Sequence, residues 1–458
     1  MEFPSSEHQR LAGVVAPLFA LRSESDLGIG DTASLLQFID WASDTGVGIV
    51  QLLPVNETGA DHSPYNAISS VALDPIYATM STDEVPGLRQ KDFDELCEKA
   101  DVFALHVAAT VDYHAVLALK NDLFQAAFQS FQSLGDAALM SDFEAFQRTE
   151  REWLEGYCLF RALMERENNS ECWDHWSEAY NTIEKARQFV DEMGSSDTED
   201  SRQFSERMEY FSYVQWVLWR QFGKVRAHAK RCGVKLMGDI PFGVSYYSAD
   251  VFCQPELFDL EWSGGAPPEK VFKDDEFVIK WGQNWGIPLF RWDVMAGNDY
   301  LWWRQRVAKT CALFELFRID HVLGFFRIYS FPWRPQLNQE FLPLNLEEAK
   351  ERTGGHLPHF VPLDDETEES CKANCERGSG YLSVIQEEST NCGSEIIAED
   401  LGTVPPYVRP ALLAMDIPGT KVPQWEWSED TLTPGSEYPE CTLATYATHD
   451  HEPMILMW

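Results

Sequence analysis

Three apolar runs in this chain end in acid. FELFRIDH (Phe314–His321) closes on Arg318, Asp320 and His321, EIIAEDLG (Glu395–Gly402) contains Glu399 and Asp400, and TLATYATHD (Thr442–Asp450) closes on His449 and Asp450. A fourth run, VKLMGDIPFGV (Val234–Val244), carries Asp239 near its end. A charge that closes a buried strand is costly unless it is paired or used. Residues two apart on a strand share a face, so Arg318 and Asp320 point together, whereas the neighbours Glu399 and Asp400 point apart. Carboxylates gathered at one mouth suit two chemistries. One is hard-cation binding through oxygen ligands. The other is retaining glycoside cleavage, in which one carboxylate attacks and one carboxylic acid, about 5–5.5 Å away, donates a proton. Buried ion pairs are the structural alternative, and spacing alone leaves all three open.

The elements that must position these residues follow from periodicity. Val14–Leu21 reads as a buried strand, and Thr32 is placed to cap a helix through Leu35, Leu36, Ile39 and Trp41 that stops at Gly46. Gly48–Val55 is the next strand, giving a βαβ unit and hence parallel strands. A loop over Asn56–Tyr77 contains the SPY tripeptide with Tyr65. Residues 80–207 read as a helical insertion, with an acidic, Ser-rich break expected to be a loop at Gly194–Ser201. Alternation resumes with a helix over Glu209–Cys232 and the Asp239 strand, then a Gly- and Pro-rich loop carrying Trp285. A helix over Tyr300–Ala312 leads into the Asp320 strand. An irregular excursion over Pro332–Gln386 precedes the Glu399 strand, and Gly419–Trp427 and TLATYATHD complete seven strands. Apolar strands separated by helices predict a (β/α)8 TIM barrel with helical insertions, whose site lies at the C-terminal strand ends. The expected organisation is the first barrel strands and a substrate loop in 1–79, the helical insertion in 80–207, and the rest of the barrel in 208–458, with loop insertions at 245–290 and 332–390. The chain ends at Trp458 just after the seventh strand, so the barrel is expected to be truncated at its C-terminal end.

Composition narrows the function. At 458 residues, 44% hydrophobic and 24% charged, the chain is an ordinary globular protein with more than one simple core. With 36 basic and 74 acidic residues its net charge of −38 repels polyanions, so no nucleic-acid partner is expected. The 16 Trp leave a surplus beyond the core for stacking platforms in a cleft. Ten scattered Cys show no pairing motif, and Cys371 and Cys375 complete no zinc pattern, so reduced thiols are expected. Neither a signal peptide nor a bilayer-spanning window is present, which places the expected protein in the cytoplasm without a membrane partner.

The motifs decide more than the spacing. SDLGIGD (Ser25–Asp31), QLLPVNET (Gln51–Thr58), SPY (Ser63–Tyr65), YVQWVLWRQF (Tyr213–Phe222), GDIPFGV (Gly238–Val244), GQNWGIP (Gly282–Pro288), FRIDH, AEDLG and THD occur in one order. In that order the chain resembles the 4-α-glucanotransferases, the amylomaltase or disproportionating-enzyme family (glycoside hydrolase family 77). The phrasing is nearest the branch that contains the plant cytosolic enzyme. The resemblance implies Asp320 as nucleophile, Glu399 as general acid/base and Asp450 as transition-state stabiliser. Arg318, on the same strand face, would pair with Asp320, and the negative Asp320 would favour a protonated Glu399. It further implies sugar-binding roles for Tyr65, Asp239, Trp285, His321 and His449, with Arg318 counted among them. The chain departs from the pattern at Tyr247 and Lys270, where the family often has an acid and a tyrosine. The expected activity is retaining transfer of glucosyl or glucan units from α-1,4 linkages to the 4-hydroxyl of an acceptor. Maltooligosaccharides, starch or glycogen would be the partners, with no cofactor and no metal. The alternatives are an α-glucan hydrolase of the same clan, or a glucan-binding fragment without turnover.

Overall fold

A computed structural model describes residues 10–269, 275–428 and 431–451, which leaves Lys270 outside the described residues. The chain forms two compact units, one of residues 1–238 with 247–254 and the other of 239–246 with 255–458.

The first unit is built on parallel strands. β1 (Gly13–Val15) pairs with β2 (Ile49–Gln51), which pairs in turn with residues 235–237 of β3 (Lys235–Ile240), the strand on which the first unit gives way to the second at 238/239. β1 is shorter than the apolar run predicts, because Pro17 has no N–H to donate and a 3-10 turn over Leu18–Ala20 follows. Between β1 and β2 lies the helix Thr32–Thr45, capped one residue earlier than expected: the Asp31 carboxylate accepts the Ser34 N–H. Gly46, at φ 77°, closes it as the sequence implies. Helices over Tyr113–Phe131, Ala137–Thr149, Arg151–Arg166 and Ile183–Gly194 pack with the long helix Glu199–Cys232. Part of the acidic stretch read as a loop is the first turn of that long helix. Thr198 caps it, and Glu199 and Asp200 face the positive end of its dipole. The long helix also steadies the loop that carries Tyr65. The Gln215 amide accepts the Leu73 N–H at 2.9 Å and donates to the Leu73 carbonyl at 2.8 Å.

The second unit holds a parallel run of strand ends. β6 (Leu316–Ile319) and β9 (Glu395–Ala398) pair in register, Arg318 opposite Ile397. The Asp320 N–H donates to the Ile240 carbonyl, the Glu399 N–H to the Ile319 carbonyl and the Ala398 N–H to the Pro418 carbonyl, at 2.9, 2.9 and 2.8 Å. β10 (Gly419–Lys421) then pairs in parallel with Thr442–Ala444. The last two expected strands are shorter than read. Pro423 opens a 3-10 turn after β10, and residues 445–450 leave the ladder.

The Gly- and Pro-rich stretch is not a loop. It forms an antiparallel sheet in the order β5 (Gln283–Phe290), β4 (Phe258–Ala266), β7 (Ile328–Phe331), β8 (His359–Val361). Its glycines admit a neighbouring backbone: a Cβ on Gly265 would lie 1.8 Å from the Gln283 carbonyl oxygen. The excursion read as irregular also folds, ending in the helix Glu368–Cys392 with a capping box at Thr367. Trp281, Phe331, Trp333 and Phe341 form a satellite core beneath this sheet, with the Trp333 and Phe341 rings stacked 3.9 Å apart.

Candidate active site

Arg318 is the hub of the second unit's strand ends. It is 7% exposed, and its guanidinium meets two carboxylates. Nη1 lies 2.9 and 2.8 Å from the two oxygens of Asp239. Nη2 lies 2.6 Å from Oδ1 of Asp320. A buried arginine needs such partners, since truncating one member of a buried pair costs about 3–5 kcal/mol. The Asp239 side chain is fully covered while that of Asp320 keeps 29% of its surface. Asp239 therefore stands as the anchor of Arg318, without a face offered to a sugar, and Asp320 is the carboxylate left open.

Glu399 sits one strand over, gripped by backbone. Oε2 accepts the His321 N–H at 2.8 Å and Oε1 accepts the Leu401 N–H at 3.0 Å. The His321 N–H reaches it from a residue in the left-handed region, φ 45°. Burial pushes the Glu399 carboxyl up to about 7, and the Asp320 charge adds to the rise against the opposing pull of Arg318 and the two N–H donors. The Asp320 charge is thus the second cause; desolvation is the larger. Asp400 points away, as adjacency on a strand requires. It is 1% exposed, accepts the Thr420 N–H at 2.6 Å and pairs with Arg409 at 2.9 Å.

Trp285 and His321 form one wall. Trp285 is 38% exposed, and its ring meets that of His321 edge-on at 4.8 Å. The Phe242 ring also meets the imidazole edge-on, at 6.5 Å. Burial drives His321 down to about 4, so its ring is neutral at physiological pH. His449 is held down as well by burial, and the charges of Asp320 and Arg318 act on it. Its Nε2 lies 3.4 Å from Asp450 Oδ1. Asp450 itself is 72% exposed at the side chain and is linked to the cluster through His449. The second unit thus gathers Asp239, Arg318, Asp320, His321, Glu399, Trp285 and His449, with Asp450 at the edge. Tyr65 belongs to the first unit, half-buried on its turn. Tyr247 also lies there, its hydroxyl 3.4 Å from Asp174.

Sequence reasoning missed the backbone donors at His321 and Leu401, because main-chain groups leave no residue-type signal. It also missed Glu269, which follows GGAPP. Burial raises the carboxyl of Glu269, and its oxygen would stand 3.8 Å from a Cβ on Gly402, in the loop after Glu399.

A family model described as 4-alpha-glucanotransferase matches residues 16–458. The chain belongs to the 4-alpha-glucanotransferase family. A 4-alpha-glucanotransferase of Chlamydia caviae is 30% identical over 449 residues, covering 97% of this chain and 75% of that protein. The rice protein described as 4-alpha-glucanotransferase DPE2 is 33% identical over 334 residues, 70% of this chain and 32% of that one. Among solved structures, the amylomaltase from Streptococcus agalactiae in complex with acarbose superposes with a TM-score of 0.71 at 22% identity, over 97% of this chain and 80% of that one. The amylomaltase from Corynebacterium glutamicum gives a TM-score of 0.73 at 21% identity, over 97% and 55%. The fold is accordingly the α/β barrel type of the amylomaltases. As a member of the 4-alpha-glucanotransferase family, the protein is a transferase acting on α-glucans.

Proposed function

We propose that the strand-end cluster carries out a retaining double displacement. Asp320, paired with Arg318, attacks the anomeric carbon of an α-1,4-linked donor. Glu399 protonates the departing glycosidic oxygen. The glycosyl–Asp320 ester then meets the 4-hydroxyl of an acceptor sugar, from which Glu399, now ionised, removes the proton. Asp450 and His449 hydrogen-bond the flattened, positively charged ring as the bond breaks. Trp285 stacks on the glucan, with His321 beside the reacting ring, Asp239 acts through Arg318, and Tyr65 is the ring that the first unit offers to a sugar. Maltose and longer maltooligosaccharides serve as donors, and starch- or glycogen-type chains as further donors or acceptors. One observation carries this reading: a carboxyl raised to about 7 beside a second, half-buried carboxylate that is ion-paired to a buried arginine.

The test is to incubate the protein with maltotriose, with and without glycogen, and to separate the products by chromatography. Transfer yields glucose together with chains longer than the donor. Release of reducing ends with no longer chains would replace this reading with hydrolysis. Glu399→Gln should lower turnover by about 10²–10⁴-fold, with donor affinity little changed. Unaltered turnover in that variant would sink the acid/base assignment.

A further inference from the structure

Away from the strand-end cluster, the first unit brings three metal-type donors of different chemistry to one point. Asp40 lies on the helix Thr32–Thr45, and His228 and Cys232 lie one turn apart at the end of the helix Glu199–Cys232. Their ligand atoms all fall within 4.8 Å of one another. Cys232 Sγ is 3.5 Å from His228 Nε2 and 3.7 Å from Asp40 Oδ1, and His228 Nε2 is 2.6 Å from Asp40 Oδ1. With Zn–S of about 2.3 Å and Zn–N or Zn–O of about 2.0 Å, the edges of a tetrahedron are roughly 3.5 Å to sulfur and roughly 3.3 Å between nitrogen and oxygen. Both sulfur edges are therefore near length already. Only the Asp40–His228 hydrogen bond must open, by well under an ångström.

The surroundings fit a cation. His228 and Cys232 sit at the C-terminal end of a 34-residue helix, the negative end of its dipole. The two helices are tied at this point by the Ser43 hydroxyl, which donates to the Cys232 carbonyl at 2.9 Å. Asp44 is close enough for its charge to act on the Cys232 thiol. The opposing group is Arg231, whose Nη2 lies 3.2 Å from His228 Nδ1. With Nδ1 accepting from Arg231, Nε2 carries the proton and donates to Asp40. Metal at Nε2 requires the other tautomer, so Arg231 must swing off, which a surface arginine in the last turn of its helix can do.

We propose that Asp40, His228 and Cys232 form a binding site for a borderline divalent cation of the zinc class, with water or Asp44 in the fourth position. Both helices run into the N-terminal ends of parallel strands, β2 and the start of β3, in the same unit. In parallel α/β folds that end serves stability rather than catalysis, so the ion acts as a clasp between two helices. Binding displaces the thiol proton to solvent, which makes affinity rise with pH.

The test titrates the reduced full chain with Co²⁺ alone. One equivalent should bind with a thiolate-to-cobalt charge-transfer band, and Zn²⁺ should displace it. Cys232→Ser should remove the band, while His228→Gln and Asp40→Asn should each weaken binding by at least about 10–100-fold. No uptake, or a band that persists in Cys232→Ser, overturns the proposal. Should the Cys232 variant fail to fold, the unaltered protein still decides. Zn²⁺ should slow alkylation of Cys232 by about tenfold or more, as read by peptide mass spectrometry, with Cys441 unprotected. Equal rates at Cys232 with and without Zn²⁺ overturn it.

Discussion

At the scale of single residues, Glu399 and His321 are burdened in opposite senses. Glu399 is raised from 4.5 to about 7, so its contribution to stability is full below about pH 4.5 and is lost as pH rises through 7. His321 is lowered from 6.5 to about 4, so its contribution is full above about pH 6.5 and is lost as pH falls through 4. The melting temperature of Glu399→Gln should therefore exceed that of the wild type by an amount that grows as the buffer is moved from acid to neutral and beyond. A gap that does not change with pH would mean Glu399 titrates at its ordinary value. Removing the neighbouring charge tests the second cause of the rise. In Asp320→Asn the Glu399 carboxyl, followed by its carbon chemical shift, should titrate below about 7, because only burial then opposes the pull of Arg318 and the two N–H donors. Catalysis should show the same ionisation. Transfer should fall about tenfold per pH unit above neutrality, once the protonated acid becomes scarce.

At the scale of elements, the strands that end in acid were legible because an apolar run that closes on charge suits little besides a buried strand with a site at its end. Arg318 and Asp320 do share a face, and Asp400 does turn away from Glu399. The sheet of β4, β5, β7 and β8 was not legible. Gly264, Gly265 and Pro288 are loop signals by local chemistry, yet here a missing side chain is what lets two backbones meet. Gly265→Ala should thus lower stability by about 1–3 kcal/mol or more, read as a fall in denaturation midpoint. Gly380, in the helix Glu368–Cys392 with no heavy atom within 4 Å of an added Cβ, makes the contrasting variant. Gly380→Ala should raise stability by roughly 0.5–1 kcal/mol. The left-handed backbone at His321, φ 45°, was equally invisible in FRIDH, since nothing in that run shows that its N–H meets Glu399, 78 residues on. The Asp40–His228–Cys232 group escaped notice for a different reason: Asp40 lies 188 residues from His228, and the remaining His-x3-Cys spacing is too common to signal a site.

At the scale of the whole molecule, charge acts in a way that no single contact reports. A balance of 36 basic against 74 acidic residues leaves −38, and like charges spread over one fold repel each other in proportion to the reach of their fields. Raising ionic strength from about 0.01 M to about 0.15 M shortens that reach from roughly 30 Å to roughly 8 Å. The melting temperature should rise over this range with a neutral salt, and a fall would show that specific ion pairs outweigh the general repulsion. Among the described residues no helix is long and apolar enough to cross a membrane.

The order in which the chain visits its two units has a consequence for inheritance. It passes from the first to the second at 238/239, back at 246/247 and over again at 254/255. No single break in the gene can therefore hand each product one whole unit. A break before residue 239 leaves 247–254 with the wrong half, and a break after 254 sends Asp239 off with the first half while Arg318 and Asp320 go with the second. A break before 239 keeps Asp239, Arg318 and Asp320 in one product, whereas a break after 254 parts the nucleophile's ion-pair network, so the place of the break decides whether one half inherits that network whole.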